Sequence, residues 1–202
     1  MKLFTKISIS VIAALAIVGC SDDFLEVEAR ENIEATDSSE NLTPEEFVNG
    51  VYGMYTDWTY AFAWLGVTEI ISDNADKGSS PSDTGSDKNL LDNLTFTSTA
   101  TSVREVWRQW YKTIGRASYS IAYTQAYGLE DQDYENRLVG EAKYLRAMTY
   151  FYLVRSYGAV PIQGDITIEN DQAMIDPAAD LSSRNSVEEV YEYIEQDLLD
   201  AI

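Results

Sequence analysis

Two stretches of the chain, 102–128 and 133–157, repeat apolar residues at every third or fourth position. Each is long enough for roughly seven helical turns at 3.6 residues per turn. The first stripe runs Val103, Val106, Trp107, Trp110, Ile114, Ala117 and Ile121, and the second runs Leu138, Ala142, Leu145, Thr149 and Tyr152. That period buries one face of an α-helix. A strand, whose faces alternate at every second residue, would scatter it over both sides. Gly128 offers the first helix a left-handed stop, and Gly158 followed by Pro161 ends the second. The linker between them is short and polar, so the two are expected to form an antiparallel αα-hairpin. The alanines at Ala117/Ala122 and Ala142/Ala147 are small enough to let helices approach closely. The fold class that follows is mostly α, built from helical hairpins.

Three segments share one start signal, a Ser or Thr with Glu three residues on, which allows reciprocal capping of the first turn. Thr43-Pro44-Glu45-Glu46 opens one, with Val48, Val51, Tyr52 and Tyr55 expected on its buried face. Ser102-Val103-Arg104-Glu105 is expected to open the first long helix in the same way. Ser186-Val187-Glu188-Glu189 opens the last, with Val187, Val190, Tyr191, Ile194 and Leu198 as its stripe. The sequence stops at Ala201-Ile202 inside that pattern without a helix stop signal, which reads as the end of a fragment.

Composition removes several functions. There is no His, so His-based acid–base chemistry, a Ser-His-Asp triad and His-ligated metals are excluded. A single Cys excludes an internal disulfide and multi-thiolate zinc. The formal net charge of −20 opposes binding to nucleic acid phosphates. Calcium is disfavoured too: around Asp73, Ala75 and Lys77 stand where an EF-hand needs oxygen ligands. No cofactor or metal is expected.

The amino terminus reads as an address. Lys2 and Lys6 precede the apolar run 7–18, which is too short to span a membrane. Ile17-Val18-Gly19-Cys20 follows and resembles the lipobox of bacterial lipoproteins, with 1–19 as the signal peptide and Cys20 as the lipid-modified first mature residue. The plainer alternative is an ordinary secretory signal with a chance cysteine. Residues 20–42 are polar and acidic and suit a tether, while Ser21-Asp22-Asp23 also resembles a surface-export signal.

Two segments are candidates for ligand contact. Trp58, Tyr60, Phe62 and Trp64 alternate with small or polar residues, and they make either a sugar-stacking platform or part of the core. The stretch 73–102 is rich in Asp, Asn, Ser, Gly and Thr, and reads as a long loop. Its Asp73, Asn74 and Asp76 could hydrogen-bond sugar hydroxyls or simply face solvent, and Leu94-Thr95-Phe96-Thr97 could be a short extended strand. Glu141 and Arg146 lie in the second long helix, where a cation near the buried stripe needs partners. Pairing within the hairpin is the expected role.

Gly140-Glu141-Ala142-Lys143-Tyr144-Leu145-Arg146-Ala147, then Tyr150-Phe151-Tyr152-Leu153-Val154 and Tyr157-Gly158-Ala159-Val160-Pro161, resembles the central signature of the SusD/RagB family. Trp110 to Ala117 resembles the helix before it, and Arg184 to Leu198 the helix after it. The resemblance runs from Cys20 to Ile202 and makes 43–202 the N-terminal part of a SusD-like helical domain. It implies tetratricopeptide-like helix pairs with long irregular loops. It further implies a lipid-anchored protein of the outer membrane, facing the cell exterior. Such a protein binds a glycan or other nutrient oligomer and delivers it to a SusC-like TonB-dependent outer-membrane transporter. In relatives, irregular segments build the ligand site; here 73–93 lacks any Trp, Tyr or Phe, which puts a stacking contact from that loop and starch as ligand in doubt.

Two other classes compete with this reading. One is a helical scaffold or adhesin without a small ligand. The other is a glycoside hydrolase with paired carboxylates, although 34 acidic residues make chance pairs inevitable. The resemblance implies that the protein is not an enzyme.

Overall fold

The computed structural model describes residues 42–78, 80, 85–169, 172–175 and 182–202. The signal-like segment 1–19, Cys20 and the tether up to residue 41 lie outside the described residues. The helices are α1 Pro44–Gly53, α2 Trp58–Leu65, α3 Ser86–Asp92, α4 Thr101–Tyr127, α5 Gln132–Tyr157 and α6 Val187–Asp200. A 3₁₀ turn at Met54–Thr56 and a π turn at Gly66–Ile70 punctuate the first part. Helix α5 packs along α4 on one side and α6 on the other, while α1 and α2 lie against α4.

The long hairpin forms as its stripes require. Gly128, at φ 67°, closes α4 by donating its N–H to Thr124, and Gly158, at φ 71°, closes α5 by donating to Val154. Trp110, Ile114, Ala117, Leu138, Ala142, Leu145 and Thr149 are all buried. Val48 packs with Ile121, Leu138 and Ala142, and Val51 packs with Ala117 and Leu145, so α1 seals the hairpin where the small alanines leave room. Gly140 marks another close approach, since a Cβ there would lie 3.1 Å from the carbonyl oxygen of Ala201.

The reciprocal caps at Thr43/Glu46 and Ser186/Glu189 are both present. The cap expected at Ser102 is not. Helix α4 starts one residue earlier, at Thr101, and the Ser102 N–H and hydroxyl both donate to the Asp87 carboxylate, at 3.0 and 2.5 Å. A carboxylate from another helix thus accepts the first-turn N–H of Ser102, the part a capping side chain would otherwise play. The helix that brings it, α3, lies within the stretch read as loop.

Other expectations are corrected as well. Residues 94–97 form no strand; Leu94 has φ 53° and turns the chain. A two-stranded antiparallel hairpin, β1 Ile166–Glu169 with β2 Gln172–Ile175, occurs instead where none was expected. Tyr52, Val187, Tyr191 and Leu198 are exposed. Helix α6 contacts the body through the row Val190, Ile194 and Asp197, which leaves the neighbouring apolar row outside. Tyr52 lies at the rim of α1, with its hydroxyl 3.4 Å from Glu141.

Phenols are unusually common in the interior, and burial pushes those of Tyr55, Tyr150 and Tyr157 up to about 12. An acid whose folded pKa is raised stabilises the fold fully below its unfolded value near 10 and loses that contribution as pH climbs through the folded value. We expect the helical signal to hold to about pH 10 and to collapse between about 10 and 12, with phenolate absorbance rising in the same window. Tyr150, the one fully buried phenol of the three, is worth about 2–3 kcal/mol across that window, and the half-buried Tyr55 and Tyr157 less because solvent screens them. Phenolates that formed near pH 10 with the helices intact would refute this account.

Candidate functional site

Helix α2 begins at Asp57, whose carboxylate accepts the N–H of Tyr60 at 3.0 Å. Because the run that follows is helical, its alternating aromatics do not share a face. Tyr60 and Trp64, four apart, turn inward. Tyr60 is 6% exposed and its hydroxyl accepts the indole N–H of Trp110 at 2.8 Å. Trp64 meets the edges of Trp110 and Tyr152, each at 5.2 Å. These two residues are therefore core side chains rather than parts of a platform. Trp58 and Phe62, also four apart, turn outward. Their rings stack 5.8 Å apart and within 16° of parallel, and Trp58 is 77% exposed.

The underside of this aromatic shelf is fixed by charge. Lys88 places its Nζ 4.3 Å from the centre of the Phe62 ring. The same ammonium donates to the Ser102 hydroxyl and sits 3.6 Å from Asp87. Desolvation holds the Lys88 pKa below its ordinary value. Burial works to raise that of Asp87, but the hydrogen bonds from Ser102 and the Lys88 charge overcome it and hold the carboxyl low. A glycine is required at Gly66, where a Cβ would run into Lys88 and Leu91 at 2.9 and 3.0 Å. Phe62, which carries Lys88 and stacks with Trp58, thus backs an exposed aromatic ring, the kind of surface that takes the apolar face of a sugar.

Asp73, Asn74 and Asp76 are exposed on the segment that follows the π turn. Among the described residues no hydrogen bond or ion pair joins them to Trp58. A depression of about 860 Å³ lies between the start of α5 and the end of α6; it is lined in part by Tyr52, Arg137, Glu141 and Tyr144. It includes none of the aromatics of α2.

The signature residues of α5 serve the scaffold. Arg146 is 2% exposed and makes a two-pronged pair with Asp197 of α6, both contacts at 2.7 Å. It also donates to Ser118 at 2.9 Å and Asp165 at 2.8 Å, and its guanidinium lies 5.1 Å from the Tyr193 ring. Burial alone would lower its pKa, but the bond to Asp197 and the charges around it outweigh that and raise it. Pairing within the hairpin supplies only the Ser118 contact; the main partner comes from the next helix. Glu141 accepts from Tyr52 and lies 3.6 Å from Arg137, and the Pro161 carbonyl accepts the Tyr111 hydroxyl at 2.8 Å. Sequence reasoning missed Asp197 and Lys88. An acid on the buried row of α6 was the available signal for the first; nothing local marked the second.

Residues 23–202 match the SusD-like family described as "Starch-binding associating with outer membrane". The chain belongs to the SusD-like family. A SusD-like protein of Bacteroides ovatus is 28% identical over 98% of this chain, and one of Formosa agariphila is 30% identical over 93%. The chain covers 35% of each, so it spans about a third of the length of these relatives. The solved structure of a SusD homologue from Bacteroides thetaiotaomicron superposes with a TM-score of 0.59 at 27% identity, over 78% of this chain and 29% of its own. That of a laminarin-binding SusD-like protein gives 0.58 at 25% identity, over 79% and 33%. The SusD-like fold accounts for the helical hairpins and for the irregular segments between them. Among the described residues no helix is long and apolar enough to cross a membrane.

Proposed function

We propose that the protein binds a glycan at the outer surface of the outer membrane and passes it to a SusC-like TonB-dependent transporter. Cys20 carries the lipid anchor, and the acidic segment to residue 42 is the tether. The observation that carries this reading is the family match over 23–202, joined to the likeness with a laminarin-binding relative. The aromatic shelf of Trp58 and Phe62 is the stacking surface, and Asp73, Asn74 and Asp76 supply hydrogen bonds to hydroxyls from the exposed segment after it. The protein holds its ligand without cleaving it.

Titration of laminari-oligosaccharides and malto-oligosaccharides into the protein tests the shelf. Trp58→Ala should weaken the bound glycan by about 2–10-fold, the range that 0.5–1.5 kcal/mol of aromatic contact supplies, and leave the melting point unchanged. Full affinity in that variant would place the site elsewhere. The anchor is tested by fractionation: Cys20→Ala should move the protein from the membrane to the soluble fraction, and retention in the membrane would refute it.

A further inference from the structure

Helix α4 departs from the charge of the whole. In a chain of formal charge −20, its 27 residues carry Arg104, Arg108, Lys112 and Arg116 against Glu105 alone. The four cations are spaced four apart and all are exposed. At the amino-terminal end of this ridge is a recess of about 270 Å³, lined by Ser98, Val103, Arg104, Trp107, Tyr157 and Arg184. That volume lies near the roughly 300 Å³ lower bound of small-ligand sites, enough for about one ring of an oligomer.

The recess is built rather than incidental. Tyr157 meets Trp107 edge to face at 4.9 Å and 86°, and its hydroxyl donates to the Val103 carbonyl at 2.6 Å. Tyr111 also contacts Trp107, with ring centres 4.9 Å apart. Arg184 lies 5.9 Å from the Trp107 ring while donating to the Ala159 carbonyl at 3.2 Å. Arg104 contributes a second guanidinium, 54% exposed, whose one ionic partner among the described residues is Glu105 at 3.5 Å. Glu105 is shared, since Arg108 holds the same carboxylate oxygen at 3.1 Å. Arg104 and Arg108 thus share one carboxylate, while Arg104 and Arg184 both line the recess beside the aromatic wall.

From this arrangement we infer that the recess is a second subsite, selective for a sugar ring bearing a carboxylate or sulfate. The ring packs into the corner that Trp107 and Tyr157 make, and Arg104 and Arg184 take the anionic substituent. Guanidinium groups suit both substituents because their planar forks bind paired oxygens. The negative charge of the chain as a whole would repel an acidic glycan, so this basic ridge also favours where such a chain can lie.

The inference rests on the glycan-binding reading above, and its test separates the two. Tetragalacturonate, its neutral methyl ester and a κ-carrageenan tetrasaccharide are titrated into the full chain, alongside a laminari-oligosaccharide and phosphatidylglycerol vesicles. At least one of the two acidic probes should bind, weakening as salt rises. Arg104→Gln and Arg184→Gln should each weaken that binding about tenfold, the loss of one charge-assisted contact. The ester should show the same loss relative to tetragalacturonate if carboxylate is the substituent; preference for the carrageenan oligomer assigns sulfate instead. Laminari-oligosaccharide binding should be untouched by either arginine variant and should depend on Trp58. Neutral glycan binding with no arginine-dependent gain for either acid overturns the subsite and leaves the general reading standing. No glycan binding of any kind overturns both. Arginine-dependent binding of the vesicles without binding of either acidic oligosaccharide overturns the subsite in favour of a lipid surface.

Discussion

Asp197→Ala is expected to lower the unfolding free energy by about 3–5 kcal/mol, the cost of leaving one member of a buried ion pair without its partner. Both Arg146 and Asp197 are nearly inaccessible to water, and the pair is held by two short bonds. Removal of the carboxylate strands a guanidinium that keeps only Ser118 and the outlying Asp165. Asp165 offers a control in the same network. Its side chain is 72% exposed, so its bond to Arg146 is screened and Asp165→Ala should cost no more than about 1 kcal/mol. The double variant Arg146→Met/Asp197→Leu should cost clearly less than the sum of its parts, because no unpaired charge is left inside. Urea midpoints at constant slope read these three variants and the single substitutions Arg146→Met and Asp197→Leu. Equal costs for Asp197→Ala and Asp165→Ala would mean that the pair does not join α5 to α6.

That pair also shows how far the sequence could be read. The hairpin of α4 and α5 was legible because its stripes are long and its stops are glycines, so local and global signals agree. The boxes at Thr43 and Ser186 were legible for the same reason. Ser102 carried an identical local signal, yet Asp87, fifteen residues away, took its donors. The position of a capping partner brought by tertiary packing leaves no mark in the neighbouring residues. Helix α3, only seven residues long, was hidden by a composition typical of loops. Strands β1 and β2, four residues each, were too short to show a period. At α6 the expected stripe is too wide: Val190 and Ile194 pack as expected, while Val187, Tyr191 and Leu198 stay outside. The row that packs contains Asp197, whose burial makes sense only once Arg146 is known to face it.

The aromatic run gives the sharpest test of site against core, because the same residue type stands on both faces of one helix. Trp110→Ala is expected to cost about 3–5 kcal/mol, the range for deleting a fully buried large side chain. Trp110 is wholly inside, and its indole N–H satisfies the Tyr60 hydroxyl, so the deletion opens a cavity and also orphans a buried polar group. Trp64→Ala should fall in the lower part of that range, since the ring is only partly covered but carries edge contacts to both Trp110 and Tyr152. Trp58→Ala, six residues before Trp64 on the opposite face, should change stability by no more than about 0.5 kcal/mol. Thermal melts of the three variants decide the assignment without any knowledge of the ligand. A large loss from Trp58→Ala would show that the shelf is covered in the folded protein and so closed to sugars. The expected order, Trp110 above Trp64 and both far above Trp58, would leave the Trp58–Phe62 surface with no part in holding α2 in place. An exposed, braced pair of rings that contributes nothing to stability is then available for the ligand.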